Sequence, residues 1–174
     1  REIVWDTETT GIMPGDGHRI VEIGAVEMIN RTVTGRTFHT YVDPQRPMPK
    51  DAERVHGLSS DFLTGQPIFE QVVDGFLEFI GDAPLVAHNA AFDAKFWDAE
   101  LARIQRSRTQ DFVCSLLLSR RLFPLAPSHK LGALVEYANS VQAIVDSGKS
   151  GAESANALAA SVSKLAQVAS AMKL

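Results

Sequence analysis

A chain of 174 residues is the size of one ordinary domain, and its 45% hydrophobic and 22% charged residues are the composition of a folded globular unit rather than of a disordered one. The single cysteine, Cys114, excludes an internal disulfide framework and a cysteine-rich zinc module, and no apolar run approaches the roughly 20 residues that a membrane helix needs. The net charge of −4 argues against a broad basic face that grips nucleic acid, so such a partner would have to be held by something other than bulk charge.

In chain order, Glu2-Ile3-Val4-Trp5 reads as a short apolar strand that stops at Asp6. Residues 20–29 alternate Val21, Ile23 and Ala25 against Glu22 and Gly24, which predicts a second strand. Thr37 to Val42 predicts a third, ended by Asp43-Pro44, while Asn30-Arg31 and Thr34-Gly35-Arg36 carry turn chemistry. Three strands joined by short turns make an antiparallel meander. Pro44 to Pro49 is a local loop. Phe69, Val72, Val73, Phe76, Leu77 and Ile80 then recur at helical spacing, with Gly81 as the stop. Pro84 to His88 is a brief buried strand, after which Asn89 is placed to cap a helix carrying Phe92, Phe96, Trp97, Leu101 and Ile104. Phe112-Val113-Cys114 predicts another strand, followed by a helix up to Pro124 and a short one over Leu131, Leu134, Val135 and Ala138. Asn139 to Ser154 is a polar, small-residue stretch. Leu158, Val162, Leu165, Ala169 and Met172 predict a final helix. A meander followed by alternating helices and strands implies an α/β fold, a mixed central sheet flanked by helices, in one domain over 1–174 with an atypical tail at 139–174.

Two segments carry chemistry. In an extended backbone residues i and i+2 point to one face, so Asp6 and Glu8 aim together. Two carboxylates so placed repel and call for a cation, and hard divalent ions take such oxygen ligands. The bland alternative is a solvated strand end. His88-Asn89-Ala90-Ala91-Phe92-Asp93 lies where a buried strand meets a helix, which puts Asp93 in the first helical turn. Its bland alternative is an aspartate favoured there by the helix dipole.

Together these segments resemble the DnaQ-like, DEDD-type 3′–5′ exonucleases of the histidine subclass, in particular the proofreading branch that serves bacterial DNA polymerase III. Asp6-Thr7-Glu8-Thr9-Thr10-Gly11 is similar to the first motif and Arg19 to Val26 to the following strand. Val55-His56-Gly57-Leu58-Ser59 is similar to the nucleotide-flanking loop, His88 to Asp93 to the second motif, and Phe112 to Pro124 with His129-Lys130-Leu131 follow in family order. The resemblance spans about residues 2 to 138. It implies a ribonuclease H-like fold and phosphodiester hydrolysis at a DNA 3′ end with two divalent ions, Mg²⁺ or Mn²⁺. By that resemblance Asp6 would bridge both ions, Glu8 would support the water-activating one and Asp93 the other. Thr7 and the backbone at Thr9, Thr10 and Gly11 would hold the terminal nucleotide. His56 and Gly57 would lie near its base, with Asn89 and Phe92 positioning the strand. A single-stranded DNA 3′ end, a DNA polymerase III catalytic subunit and a cytoplasmic, membrane-free location are what the family implies.

The third motif departs from the pattern. The family carries on its last helix a general-base histidine and, five residues later, a fourth carboxylate ligand. Matching Asn156-Ala157-Leu158-Ala159 to the pattern puts Ala155 and Ala160 at those positions, and all five histidines precede residue 130. The expectation is weak or absent turnover with partial metal binding. A non-catalytic module for a nucleic-acid end or a polymerase, and an exoribonuclease acting on short RNA, remain as alternatives. His88 is expected to orient its motif, His18 to lie at the surface, His39 to sit in a strand, and Cys114 to pack in the core. The arginines at 103, 106 and 108, and at 120 and 121, are expected as basic faces. The acidic balance partly reflects the site carboxylates themselves, which bound cations would offset.

Overall fold

The computed structural model describes residues 1–146, with side chains through residue 140. Five strands form one sheet: β1 (Glu2–Thr9), β2 (Ile20–Ile29), β3 (Thr32–Tyr41), β4 (Leu85–Ala87) and β5 (Phe112–Cys114), in the order β3-β2-β1-β4-β5. The first three are antiparallel; β4 and β5 are parallel to β1. The helices are α1 (Lys50–His56), α2 (Ser60–Leu63), α3 (Phe69–Ile80), α4 (Ala91–Arg103), α5 (Ser115–Leu122) and α6 (Leu131–Asp146), with a 3-10 turn at Pro14–Asp16.

The expected mixed sheet with a leading meander is present, with local corrections. β1 does not stop at Asp6 but runs to Thr9, because pairing of Asp6 with Gly24, Thr7 with Ile23 and Glu8 with Glu22 overrides the polarity of those residues. Asn30 and Arg31 form the tight hairpin turn, both at positive φ. Thr34-Gly35-Arg36 is not a turn. The register passes from Val26↔Thr37 to Met28↔Val33, so these residues bulge out within β3, with Gly35 at φ 87°. Asn89 does not cap α4 through its side chain: the N-cap is Ala90, and Asn89 instead takes the left-handed conformation at φ 69° while its carbonyl accepts from Phe92 N–H at 2.8 Å. The helix expected to end near Ala138 runs on through Asp146, so the polar stretch begins inside α6. The final helix predicted for the tail lies outside the described residues, as do Ala155 and Ala160.

Strand alternation decides what each face meets. Ile3 and Trp5 of β1 join Ile23 and Ala25 of β2, Phe69, Val73, Phe76 and Ile80 of α3, and Phe96, Trp97 and Leu101 of α4 in one buried cluster. Trp97 packs edge-on against Trp5, Phe69 and Phe76 with ring centroids 5.2–5.7 Å apart, a geometry aromatic quadrupoles favour. This aromatic layer fixes α4 across β1.

Candidate active site

The opening at the site follows from unequal strand lengths. β4 pairs with β1 only as Ile3↔Leu85 and Val4↔Val86 and ends at Ala87, whereas β1 continues to Thr9. The β1 amides beyond that point lose their neighbour and must find another acceptor. Asp93, in the first turn of α4, supplies it: Thr7 N–H and Thr7 Oγ1–H both donate to Asp93 Oδ1, at 3.2 and 2.8 Å. Asp93 is thus tied to the residue between Asp6 and Glu8. Its carboxyl is buried, and burial together with the Asp6 charge pushes it up to about 7, against the lowering effect of the Thr7 hydrogen bonds.

Asp6 and Glu8 are half-buried on the face that also carries Val4; Thr7 and Thr9 are buried on the Trp5 face. Asp93 therefore reaches the strand edge from the side of α4. Among the described residues no group of three or more His, Cys, Asp or Glu side chains is drawn together as a metal cage. The donor chemistry nevertheless suits hard cations: Asp6 and Asp93 stand close enough for the Asp6 charge to add to burial in raising Asp93, and a bound cation would relieve that repulsion.

The turn after β1 is tied back on itself. Thr9 Oγ1 donates to the Gly11 carbonyl at 2.6 Å, Thr10 N–H to the Arg19 carbonyl at 2.9 Å, and Arg19 N–H to Thr10 Oγ1 at 3.0 Å. His18, expected at the surface, is half-buried: its Nδ1 lies 3.0 Å from Thr10 Oγ1, and its ring lies so close over Gly11 that a Cβ there would fall 2.4 Å from it. A side chain at Gly11 would force the His18 ring to move, a pairing seven residues apart that no periodicity reveals. Arg19 Nε also donates to both oxygens of buried Glu100 on α4, at 2.7 and 3.0 Å, and Glu100 accepts from Ile20 N–H. Glu100 lies two helical turns beyond Asp93, so this ion pair sets the helix on the sheet.

His56 ends α1 and Gly57 caps it at φ 79°. His56 Nδ1 accepts from Leu58 N–H at 3.1 Å; burial pushes the imidazole below its ordinary range, opposed by the Thr9 backbone, Glu22 and Glu53. The structure thus brings the 55–59 segment to the end of β1. Asn89 is exposed and Phe92 half-buried, its ring 5.2 Å from that of Phe96. His88 is an orienting residue: its ring nitrogens meet Ser115 Oγ at 3.0 Å and the His129 carbonyl at 2.9 Å, joining β4 to α5 and to the loop before α6. His129 is in turn held by Ser119. His39 pairs with Glu22 across the sheet, and Cys114 is half-buried against the core. Arg103, Arg106 and Arg108 pair with Glu100, Asp74 and Asp98, so this group is balanced by acids and is not an open basic patch.

The fold is an α/β one, a mixed five-stranded sheet with carboxylates at the end of its central strand. A solved structure of exonuclease X, in complex with 5′ overhanging duplex DNA, superposes on 98% of this chain and 92% of its own with a TM-score of 0.63 at 20% identity, which shows the ribonuclease H-like fold. Residues 3–143 match the RNase_T family, described as Exonuclease, and the chain belongs to that family. It is 50% identical over 129 residues to the DNA polymerase III subunit epsilon of Rickettsia felis, covering 71% of this chain and 56% of that protein. The epsilon subunit of Escherichia coli K12 is 44% identical over 133 residues, covering 71% and 55%. The chain spans about half the length of the curated relatives it matches. No helix among the described residues is long and apolar enough to cross a membrane.

Proposed function

We propose that this chain is a proofreading-type 3′–5′ exonuclease domain acting on single-stranded or frayed DNA ends in the cytoplasm, beside a DNA polymerase III catalytic subunit, with turnover curtailed by Ala155 and Ala160. The observation that carries the reading is Asp93, buried and tied through Thr7 to the strand of Asp6 and Glu8, with its carboxyl at about 7. Asp6, Glu8 and Asp93 would hold two divalent ions, Mg²⁺ or Mn²⁺, which when bound supply water activation and stabilisation of the leaving oxygen. The chain's own residues bind and orient. Thr9, Thr10 and Gly11 present a pinned turn to the terminal nucleotide, His56 and Gly57 flank its base, and Asn89 and Phe92 guide the incoming strand. With no histidine in the tail, the general base of the family pattern is missing, a loss that typically costs about 10²–10⁴-fold. A binding module for a polymerase or a nucleic-acid end is the second reading, and the two alanines favour it.

Metal binding is testable without turnover. Millimolar Mn²⁺ should raise the melting temperature of the chain by several degrees, since a ligand that binds only the folded state stabilises it. Asp6→Asn should remove most of that rise. An unmoved melting temperature in the parent chain would refute the metal reading.

A further inference from the structure

The turn between β1 and β2 presents two exposed apolar side chains, Ile12 and Met13, at 72% and 48% exposure. Its base is fixed by Thr9, Thr10, His18 and Arg19, as described above, and Arg46 holds its far side by donating to the Gly17 carbonyl. The apex is met from α4. Lys95 Nζ donates to the Ile12 carbonyl at 2.5 Å and lies 3.7 Å from Met13 Sδ. The same ammonium stands 4.8 Å from the centroid of the Phe92 ring and 5.7 Å from that of Phe96, so two aromatic faces on its own helix hold the cation in place.

Lys95 sits on the helix of Asp93 and within one turn of Phe92. We infer that Lys95 is a positioning residue: it latches the apex of the 10–13 turn to α4 and so holds the receptor for a terminal nucleotide in register with the carboxylate end of the helix. The inference rests on the nuclease reading above for what the turn receives, but not for the latch itself. Lysine suits the task because its long stem spans the gap and its ammonium satisfies a carbonyl and two ring faces at once. A direct phosphate contact is the competing role, and the two differ in salt dependence: losing a phosphate contact reduces the salt slope of binding by about 1, whereas losing a latch does not.

The test compares the parent chain, Lys95→Met and Lys95→Arg in two assays. Amide exchange of Thr10, Asp16 and Gly17, whose N–H groups are bonded within the turn, measured without nucleic acid, should accelerate about 10-fold or more in Lys95→Met and return toward the parent rate in Lys95→Arg. Fluorescein-labelled (dT)10 should bind Lys95→Met about 3- to 10-fold more weakly, with an unchanged salt slope. Unchanged exchange in Lys95→Met would overturn the latch, and so would a salt slope reduced by about 1. If the parent chain fails to bind (dT)10, the nuclease reading falls, while the exchange assay still decides whether Lys95 holds the turn.

Discussion

β1 and α4 meet twice, and the two meetings differ in kind. At one end Trp5 stacks on Phe76 and Trp97 packs edge-on against both in a buried aromatic layer. At the other, Thr7 and Asp93 meet beside Asp6 and Glu8. The same strand and helix thus carry an aromatic layer that stabilises the fold and a buried carboxyl whose charge works against it. The lesson is a division of labour along one element pair. The aromatic end and the Arg19–Glu100 ion pair make α4 rigid enough to hold a carboxyl where its charge is disfavoured.

The largest break should come at the aromatic end. Trp97→Ala removes a fully buried ring and is expected to cost about 3–5 kcal/mol. In a domain of this length that lowers the melting temperature by roughly 10 °C or more, readable by calorimetry. Next is Arg19→Met, which leaves buried Glu100 with the Ile20 amide and the more distant Arg103, 3.9 Å away, as partners. Breaking such a pair from one side should cost about 3 kcal/mol, and denaturant unfolding measures it.

The smallest effect has the opposite sign. In the folded chain the Asp93 carboxyl titrates at about 7, far above an unfolded aspartate. Between roughly pH 4 and 7 the folded state therefore binds the extra proton, and metal-free stability falls as pH rises through that window. Asp93→Asn should stabilise the metal-free chain by about 1–3 kcal/mol above pH 7, with the gain vanishing toward pH 4. Melting curves in chelator across pH 4–8 would show it, and a variant less stable than the parent at pH 8 would contradict it.

The strand–helix pattern was legible where periodicity was strong: α3, α4 and β5 stand close to where their apolar spacing places them. It failed where contacts override local preference. The polar end of β1 reads as a terminus because its extended form comes from pairing with β2, which a single strand does not display. α1 and α2 left no signal, since α1 buries none of its residues and α2 spans only Ser60–Leu63. The carboxylates were legible from the i, i+2 rule and the motif order. What held them was not: Thr7 under Asp93, His18 over Gly11 and Arg19 on Glu100 are pairings between segments distant in sequence or without periodicity.

The third motif decides whether this chain turns over, so the most direct measurement restores it. The parent chain and the double variant Ala155→His with Ala160→Asp would be incubated with 5′-labelled single-stranded DNA and Mg²⁺ or Mn²⁺, and the products resolved on a gel. Shortening from the 3′ end should be at least about 10²-fold faster in the double variant. Equal rates in the two chains, or robust cleavage by the parent, would contradict it.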